Sequence, residues 1–188
     1  MATIIFDFDD TLFETHKLKD SIFETMNTWG LPHQTILETY EKSIKKFLHY
    51  TPENHLLTIN EMTEFNIPDH RISEIKNLDF SFYQGQVTKK ILSNLAKNNT
   101  LILLTLGDQN FQEFKIAKSG LAPYFHKIQI VPAQKEKFLL AQNYQGQVFF
   151  INDKKIENDL IRKMFPHFQV IDFHIKTGSL KRLPVIKL

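Results

Sequence analysis

Cysteine is absent from the 188-residue chain, which excludes disulfide bonds, thiolate metal sites, iron–sulfur clusters and a cysteine nucleophile. Arginine is also scarce, with three residues against 20 lysines. Bidentate recognition of phosphate by guanidinium groups is therefore nearly excluded, and phosphate binding would depend on lysine, a metal ion or the backbone. The lack of thiols fits a reducing compartment, so we expect a cytoplasmic protein.

Neither an excess of charge nor a long hydrophobic run is present. The 23 basic and 21 acidic residues leave a formal net charge of +2, which gives no reason to expect binding to nucleic acid or to a membrane. The apolar runs are far shorter than the roughly 20 residues that span a bilayer, and the first residues lack the pattern of a signal peptide. What the chain does have is 42% hydrophobic residues, enough for a folded core.

Short apolar segments alternate with helical patterns over most of the chain. Four of these segments consist mainly of apolar and β-branched residues, which is typical of strands buried on both faces, and a fifth candidate follows them. The segments are residues 3–6, 101–104, 128–131, 148–151 and, as the fifth, 169–173. Amphipathic helical patterns separate them from residue 86 onward. This alternation predicts an α/β fold, a doubly wound, Rossmann-like parallel sheet flanked by helices.

Residues 16–85 differ from the rest because they contain no comparable strand. They show several amphipathic helical patterns that break near Gly30-Leu31-Pro32, Thr51-Pro52 and Ile67-Pro68. We interpret this 70-residue segment as a small helical insert in an α/β core formed by residues 1–15 and 86–188. The tail, residues 178–188, is interpreted as a closing segment rather than a binding arm.

An acidic cluster follows the first predicted strand directly. Asp7, Asp9 and Asp10 place three carboxylates within four positions, where their charges repel one another. Such a cluster is costly unless a cation neutralises it, and carboxylate ligands indicate a hard metal ion such as magnesium. The alternative is an acidic turn in which Asp10 or Thr11 caps the structure that follows.

Polar residues of complementary types follow the next strands. Thr105 follows the second strand and has a hydroxyl that can donate to a phosphoryl oxygen, although strand ends and caps often carry threonine. Lys135 or Lys137 follows the third strand and could balance charge, although most of the 20 lysines must be surface residues. Asp153 follows the fourth strand and could complete a metal site with Asp7, or simply favour a helix N-terminus.

These four segments, in this order, resemble the motifs of the haloacid dehalogenase (HAD) superfamily of phosphohydrolases. The run Asp7-Phe8-Asp9-Asp10-Thr11 is similar to the first motif, Asp-x-Asp-x-Thr, which is the most specific of the four. Thr105 matches the second motif and Lys135 the third, with Lys137 as the alternative. Asp153 matches the acidic fourth motif. The insert lies where members of this superfamily carry a helical cap, so we expect it to be a cap.

The resemblance implies a magnesium-dependent phosphomonoester hydrolase that acts on a small phosphorylated metabolite. Asp7 would be the nucleophile and form an aspartyl-phosphate intermediate, and Asp9 would act as acid and then as base. Thr105 and Lys135 would bind the phosphate. Asp7, Asp153 and the backbone carbonyl of Asp9 would hold the metal ion. The expected partner is therefore a small phosphate ester, with no nucleic acid and no membrane.

The fourth motif departs from the usual form, because Asn152 stands where the superfamily commonly has glycine or aspartate. The residue that supports the metal from further along the chain could be Glu157, Asn158 or Asp159.

Two other functions use the same residues. A phosphotransferase or mutase would share the nucleophile Asp7 and pass the phosphoryl group to an alcohol. A regulatory module would bind magnesium or phosphate without turnover, although the intact pair of Asp7 and Asp9 argues against it. Because dehalogenase members lack an acid at the position of Asp9, a carbon–halogen substrate is disfavoured.

Overall fold

A computed structural model describes residues 1–84 and 88–176. Within them, five strands form one fully parallel sheet, in the order β3-β2-β1-β4-β5. The strands are β1 (Thr3–Phe6), β2 (Thr100–Leu106), β3 (Lys127–Val131), β4 (Val148–Asn152) and β5 (Phe168–Asp172). All five predicted strands and the doubly wound α/β architecture are confirmed.

Helices account for most of the remaining described chain. The α-helices there are α1 (Thr15–Thr28), α2 (His33–Phe47), α3 (Pro52–Met62), α4 (Ile72–Lys76), α5 (Thr88–Ala96), α6 (Gln109–Ser119), α7 (Lys135–Leu140) and α8 (Lys155–Met164). No helix in residues 1–84 and 88–176 is both long enough and apolar enough to cross a membrane.

Burial on both faces explains why the strands β1, β2 and β4 are largely apolar, whereas the edge strands β3 and β5 are partly exposed and include polar residues. Ile5 of β1 pairs in register with Ile102 of β2 and Phe150 of β4, and these three residues belong to one buried cluster. Leu139 of α7 and Ile161 of α8 belong to the same cluster, so these two helices cover that face of the sheet.

The chain divides into two compact units, of which the first holds the whole sheet. It comprises Met1–Thr15 and the chain from Phe80 onward, and the second unit is His16–Asp79. The sequence placed residues 80–85 in the insert, whereas residues 80–84 lie in the sheet unit. The ring of Phe80 packs 6.4 Å from that of Phe13 and 5.1 Å from that of Phe114, which attaches this segment to the sheet unit. The predicted closing segment, residues 178–188, lies outside the described residues.

The second unit is a small helical assembly with its own core. Its helices break where the sequence indicates, and the hydroxyl of Thr51 caps α3 by accepting a hydrogen bond of 3.0 Å from the Asn54 amide. His55 is fully buried and its ring lies 6.0 Å from each of the rings of Phe23 and Tyr40. Burial lowers the pKa of His55 to about 4, so this histidine is neutral at pH 7.

The order in which the chain adds strands to the sheet reverses beside β1. The chain moves from β1 through β2 to β3 on one side, and then returns to β4 and β5 on the other side. In doubly wound sheets, ligands bind beyond the carboxyl ends of the strands at this reversal. The loops after β1 and β4 are therefore where a site is expected.

Candidate active site

Asp7 lies at the carboxyl end of the central strand and is held there by the neighbouring strand. Its amide donates a 2.9 Å hydrogen bond to the carbonyl of Ile151 in β4, and its side chain is almost fully buried. Burial raises the pKa of Asp7, and the negative charge of Asp9 acts in the same direction, while Lys135 opposes both. Lys135 therefore favours the ionised form of this carboxylate.

Lys135, at the start of α7, is the cation of the site. Its side chain is 3% exposed, and its Nζ atom lies 2.8 Å from Oδ1 of Asp7 and 2.9 Å from Oε2 of Glu157. A third contact of 3.3 Å joins it to Oδ1 of Asn152. Burial acts to lower the pKa of Lys135, but the two carboxylates outweigh it and the pKa is raised. Lys137, the alternative candidate, is exposed.

Asp153 follows β4 and carries a half-buried carboxylate. Its Oδ1 atom is buried and finds no hydrogen-bond partner among the described residues. Burial, together with the negative charge of Asp7, raises the pKa of Asp153 to about 7. A half-buried carboxylate that lies beside a second one, and that has an oxygen without a partner in residues 1–84 and 88–176, is what a divalent cation would stabilise. Asp7, Asp153 and backbone carbonyl oxygens thus offer a donor set that fits magnesium.

Two buried hydroxyls near the start of the chain and in β2 also lack partners. Thr11 and Thr105 are both fully buried, and within the described residues neither Oγ1 atom makes a hydrogen bond. Leaving such a group unpaired costs about 1–3 kcal/mol. These hydroxyls are therefore suited to a ligand that brings its own acceptor oxygens, as a phosphoryl group does.

The side chain of Asp9 accepts hydrogen bonds from three residues that no sequence motif indicated. Its Oδ1 atom accepts hydrogen bonds from the Thr15 hydroxyl and from Nζ of Lys115, the latter at 2.5 Å, and its Oδ2 atom accepts one of 2.6 Å from Nε2 of Gln112. Burial acts to raise the pKa of Asp9, but the ammonium of Lys115 and these hydrogen bonds lower it. Sequence reasoning missed Gln112 and Lys115. No motif in the sequence marks either residue.

The three candidates for support of the metal differ in position. Glu157 contacts Lys135, and that ammonium outweighs the effect of burial and lowers the pKa of Glu157. Asn158 is fully buried and donates to the carbonyl of Asn152 at 2.9 Å and to Oδ1 of Asp172 at 2.7 Å. Asp159 is exposed and pairs with Arg162 instead. Of the three, Glu157 alone is in direct contact with the buried lysine.

A histidine also lies close to the acidic loops. Asp10, Asp153 and His174 each place one possible ligand atom within 4.8 Å of the others, and all three are half-buried. The Nδ1 atom of His174 accepts a hydrogen bond of 3.1 Å from the Lys176 amide. With Nδ1 occupied as an acceptor, a neutral ring carries its proton on Nε2 and acts there as a donor. His174 was not among the sequence candidates, because it follows β5 and matches no motif.

Solved structures share this fold at low sequence identity. A HAD-like hydrolase from Burkholderia xenovorans aligns with a TM-score of 0.76 and 18% identity, over 91% of this chain and 81% of its own. A HAD-like family hydrolase from Xanthomonas campestris aligns with a TM-score of 0.63 and 21% identity, over 100% of this chain and 88% of its own. A Thermotoga maritima protein assigned as a β-phosphoglucomutase aligns with a TM-score of 0.64 and 18% identity, over 100% of this chain and 90% of its own.

No family model and no curated protein sequence matches the chain. The structural matches nevertheless cover almost the whole chain. The chain therefore has the fold of the HAD-like hydrolases, as the resemblance of its motifs implied.

Proposed function

We propose that this protein is a magnesium-dependent phosphomonoester hydrolase that forms an aspartyl-phosphate intermediate on Asp7. The proposal is supported above all by the groups that surround the Asp7 carboxylate. Asp7 is buried against Lys135 at 2.8 Å, at the reversal of strand order. Two unpartnered hydroxyls, Thr11 and Thr105, and the unpartnered oxygen of Asp153 supply the donors and the negative charge that a phosphoryl group and a metal ion require.

In the first half-reaction, a carboxylate oxygen of Asp7 attacks phosphorus and the bond to the leaving oxygen breaks. Asp9 gives a proton to that oxygen, so that an alcohol departs. In the second half-reaction, Asp9 takes a proton from water, which attacks the aspartyl phosphate and releases inorganic phosphate. Asp7 is regenerated as a carboxylate.

Lys135 and Thr105 would bind the non-bridging oxygens of the phosphoryl group. The ammonium of Lys135 also favours the ionised form of the buried nucleophile, because it opposes the rise in the pKa of Asp7. A charged, preorganised donor in a buried site stabilises developing negative charge more strongly than water would.

Asp7, Asp153 and the backbone carbonyl of Asp9 would hold magnesium. When bound there, the ion supplies positive charge that offsets the repulsion between the anionic nucleophile and the anionic substrate. The unpartnered Oδ1 atom of Asp153 supports this assignment.

The proton on Asp9 needs a source, because the metal-free geometry favours its carboxylate form. An incoming phosphate ester brings negative charge close to Asp9, and a like charge raises the pKa of a carboxyl group. Substrate binding would therefore favour the protonated form that the first half-reaction uses.

The test is a panel of small phosphomonoesters, assayed for release of inorganic phosphate with magnesium and after complete chelation. We expect turnover that requires magnesium and that Asp7→Asn abolishes. Asp159→Asn is the matched control, since Asp159 is exposed and pairs with Arg162. Full activity of the Asp7→Asn protein, or full activity without metal, would overturn the proposal. Transfer of the phosphoryl group to an added alcohol with no free phosphate would instead indicate the mutase or phosphotransferase alternative.

A further inference from the structure

A buried lysine on α6 contacts the second aspartate of the acidic loop, and the proposed chemistry has not used it. Lys115 has a side chain that is 4% exposed, and its Nζ atom lies 2.5 Å from Oδ1 of Asp9. The same ammonium lies 5.3–5.9 Å from the ring centres of Phe8, Phe13 and Phe111. Three aromatic rings and one carboxylate therefore make up much of its surroundings.

The buried ammonium of Lys115 is not expected to stabilise the fold more than an apolar side chain would. Replacing a buried ion pair by apolar residues of similar volume is often neutral or stabilising, so such a pair is weak support for a purely structural role. Methionine at position 115 would pack against the same rings without desolvating a charge. The contact with Asp9 is what the lysine adds.

Gln112, one turn earlier on the same helix, holds the other oxygen of that carboxylate. Its Nε2 atom donates to Oδ2 of Asp9 at 2.6 Å and to the carbonyl of Leu106 at 2.9 Å. Both partners accept, which fixes the orientation of the amide. Gly107 leaves room for this contact, because a Cβ atom at that position would lie only 2.7 Å from Nε2 of Gln112.

We propose that Lys115 and Gln112 are positioning residues that fix the orientation of the Asp9 carboxylate. The inference rests on the proposed function, in which Asp9 exchanges a proton with the leaving oxygen. Together with the Thr15 hydroxyl, the two side chains occupy both carboxylate oxygens and leave Asp9 little freedom to rotate. Proton transfer depends on such geometry, and general acid–base catalysis contributes about 10²–10⁴-fold to rate.

If Lys115 positions Asp9, its replacement should lower kcat by a factor that depends on the leaving group of the substrate. Phenolate is a stronger base than p-nitrophenolate. Its departure therefore depends more on protonation of the leaving oxygen. Phenyl phosphate and p-nitrophenyl phosphate therefore form a matched pair of substrates. We expect Lys115→Met to lower kcat for phenyl phosphate by about 10–100-fold and kcat for p-nitrophenyl phosphate by less than about 5-fold. KM should change little, because Asp9 does not bind the phosphoryl oxygens.

Two controls separate positioning from general damage. Lys118→Met makes the same substitution one turn further along α6, at an exposed lysine, and should behave as wild type. In an Asp9→Asn background, Lys115→Met should have no further effect, because the group that it positions is already lost. If Lys115→Met does not fold, Gln112→Met should show the same dependence on the leaving group.

An equal loss on both substrates, no loss at all, or an additive loss in the Asp9→Asn background would overturn the inference while leaving the proposed function in place. A wild-type protein that hydrolyses neither ester with magnesium would overturn the proposed function, and the inference with it.

Discussion

Replacing Lys135 should destabilise the metal-free protein far more than replacing the aspartate with which it pairs. Lys135 has two carboxylate partners, Asp7 at 2.8 Å and Glu157 at 2.9 Å. Lys135→Met leaves both without their buried cation, and breaking a buried pair in this way costs about 3–5 kcal/mol. Asp7→Asn removes a buried negative charge and leaves the lysine its contact with Glu157. We expect that variant to lose no more than about 1 kcal/mol.

The measurement is urea unfolding at pH 7 in the presence of a chelator, followed by circular dichroism. The double variant with both substitutions should recover part of the loss seen with Lys135→Met, because Asp7 no longer carries a charge. Magnesium should also stabilise Lys135→Met, by about 2.7 kcal/mol at a concentration 100 times its dissociation constant. The reasoning is refuted if Lys135→Met lies within 1 kcal/mol of wild type, or if Asp7→Asn is the more destabilised of the two.

Three further predictions concern proton binding and packing. The pKa of Asp153 is raised from 3.8 to about 7 in the folded state, so metal-free protein should lose stability as pH rises between these values, and Asp153→Asn should remove that part of the slope in urea unfolding. The pKa of His55 is lowered to about 4, so the helical unit should lose about 2–3 kcal/mol as pH falls from 7 to 4. The fluorescence of Trp29, the single tryptophan, should report this loss, and His55→Phe should be insensitive to pH by comparison. Gly107→Ala should displace Gln112 and lower kcat about 10-fold with little change in the unfolding midpoint.

The strands could be predicted because their signals are local. A parallel strand buried on both faces is a continuous apolar run, and the polar residue after it lies at the ligand-binding edge of the sheet. Asp7 and Asp153 directly follow such runs in β1 and β4, whereas Lys135 begins α7 four residues after the end of the partly exposed β3. The sequence left Glu157, Asn158 and Asp159 open as supports of the metal, and the structure brings Glu157 into contact with Lys135.

Two features could not be predicted, because they depend on tertiary packing. Lys115 is one of 20 lysines, and its burial depends on how α6 is rotated against the acidic loop. The boundary near Phe80 was missed for a similar reason. The sequence does not show which unit an aromatic residue at the end of a helical segment packs against. In the structure, Phe80 packs against the rings of Phe13 and Phe114, which belong to the sheet unit.

The central place of β1 has a consequence for how the chain folds as it is synthesised. Thr3 pairs in register with Thr100 on one side and with Val148 on the other, so both partner strands of β1 are synthesised long after it. The helical unit, by contrast, is one continuous stretch from His16 to Asp79. Pairing between strands that are far apart in sequence is slow, and an unpaired apolar strand is prone to aggregation during that time. Folding yield should therefore depend on how quickly β2 and β4 reach β1.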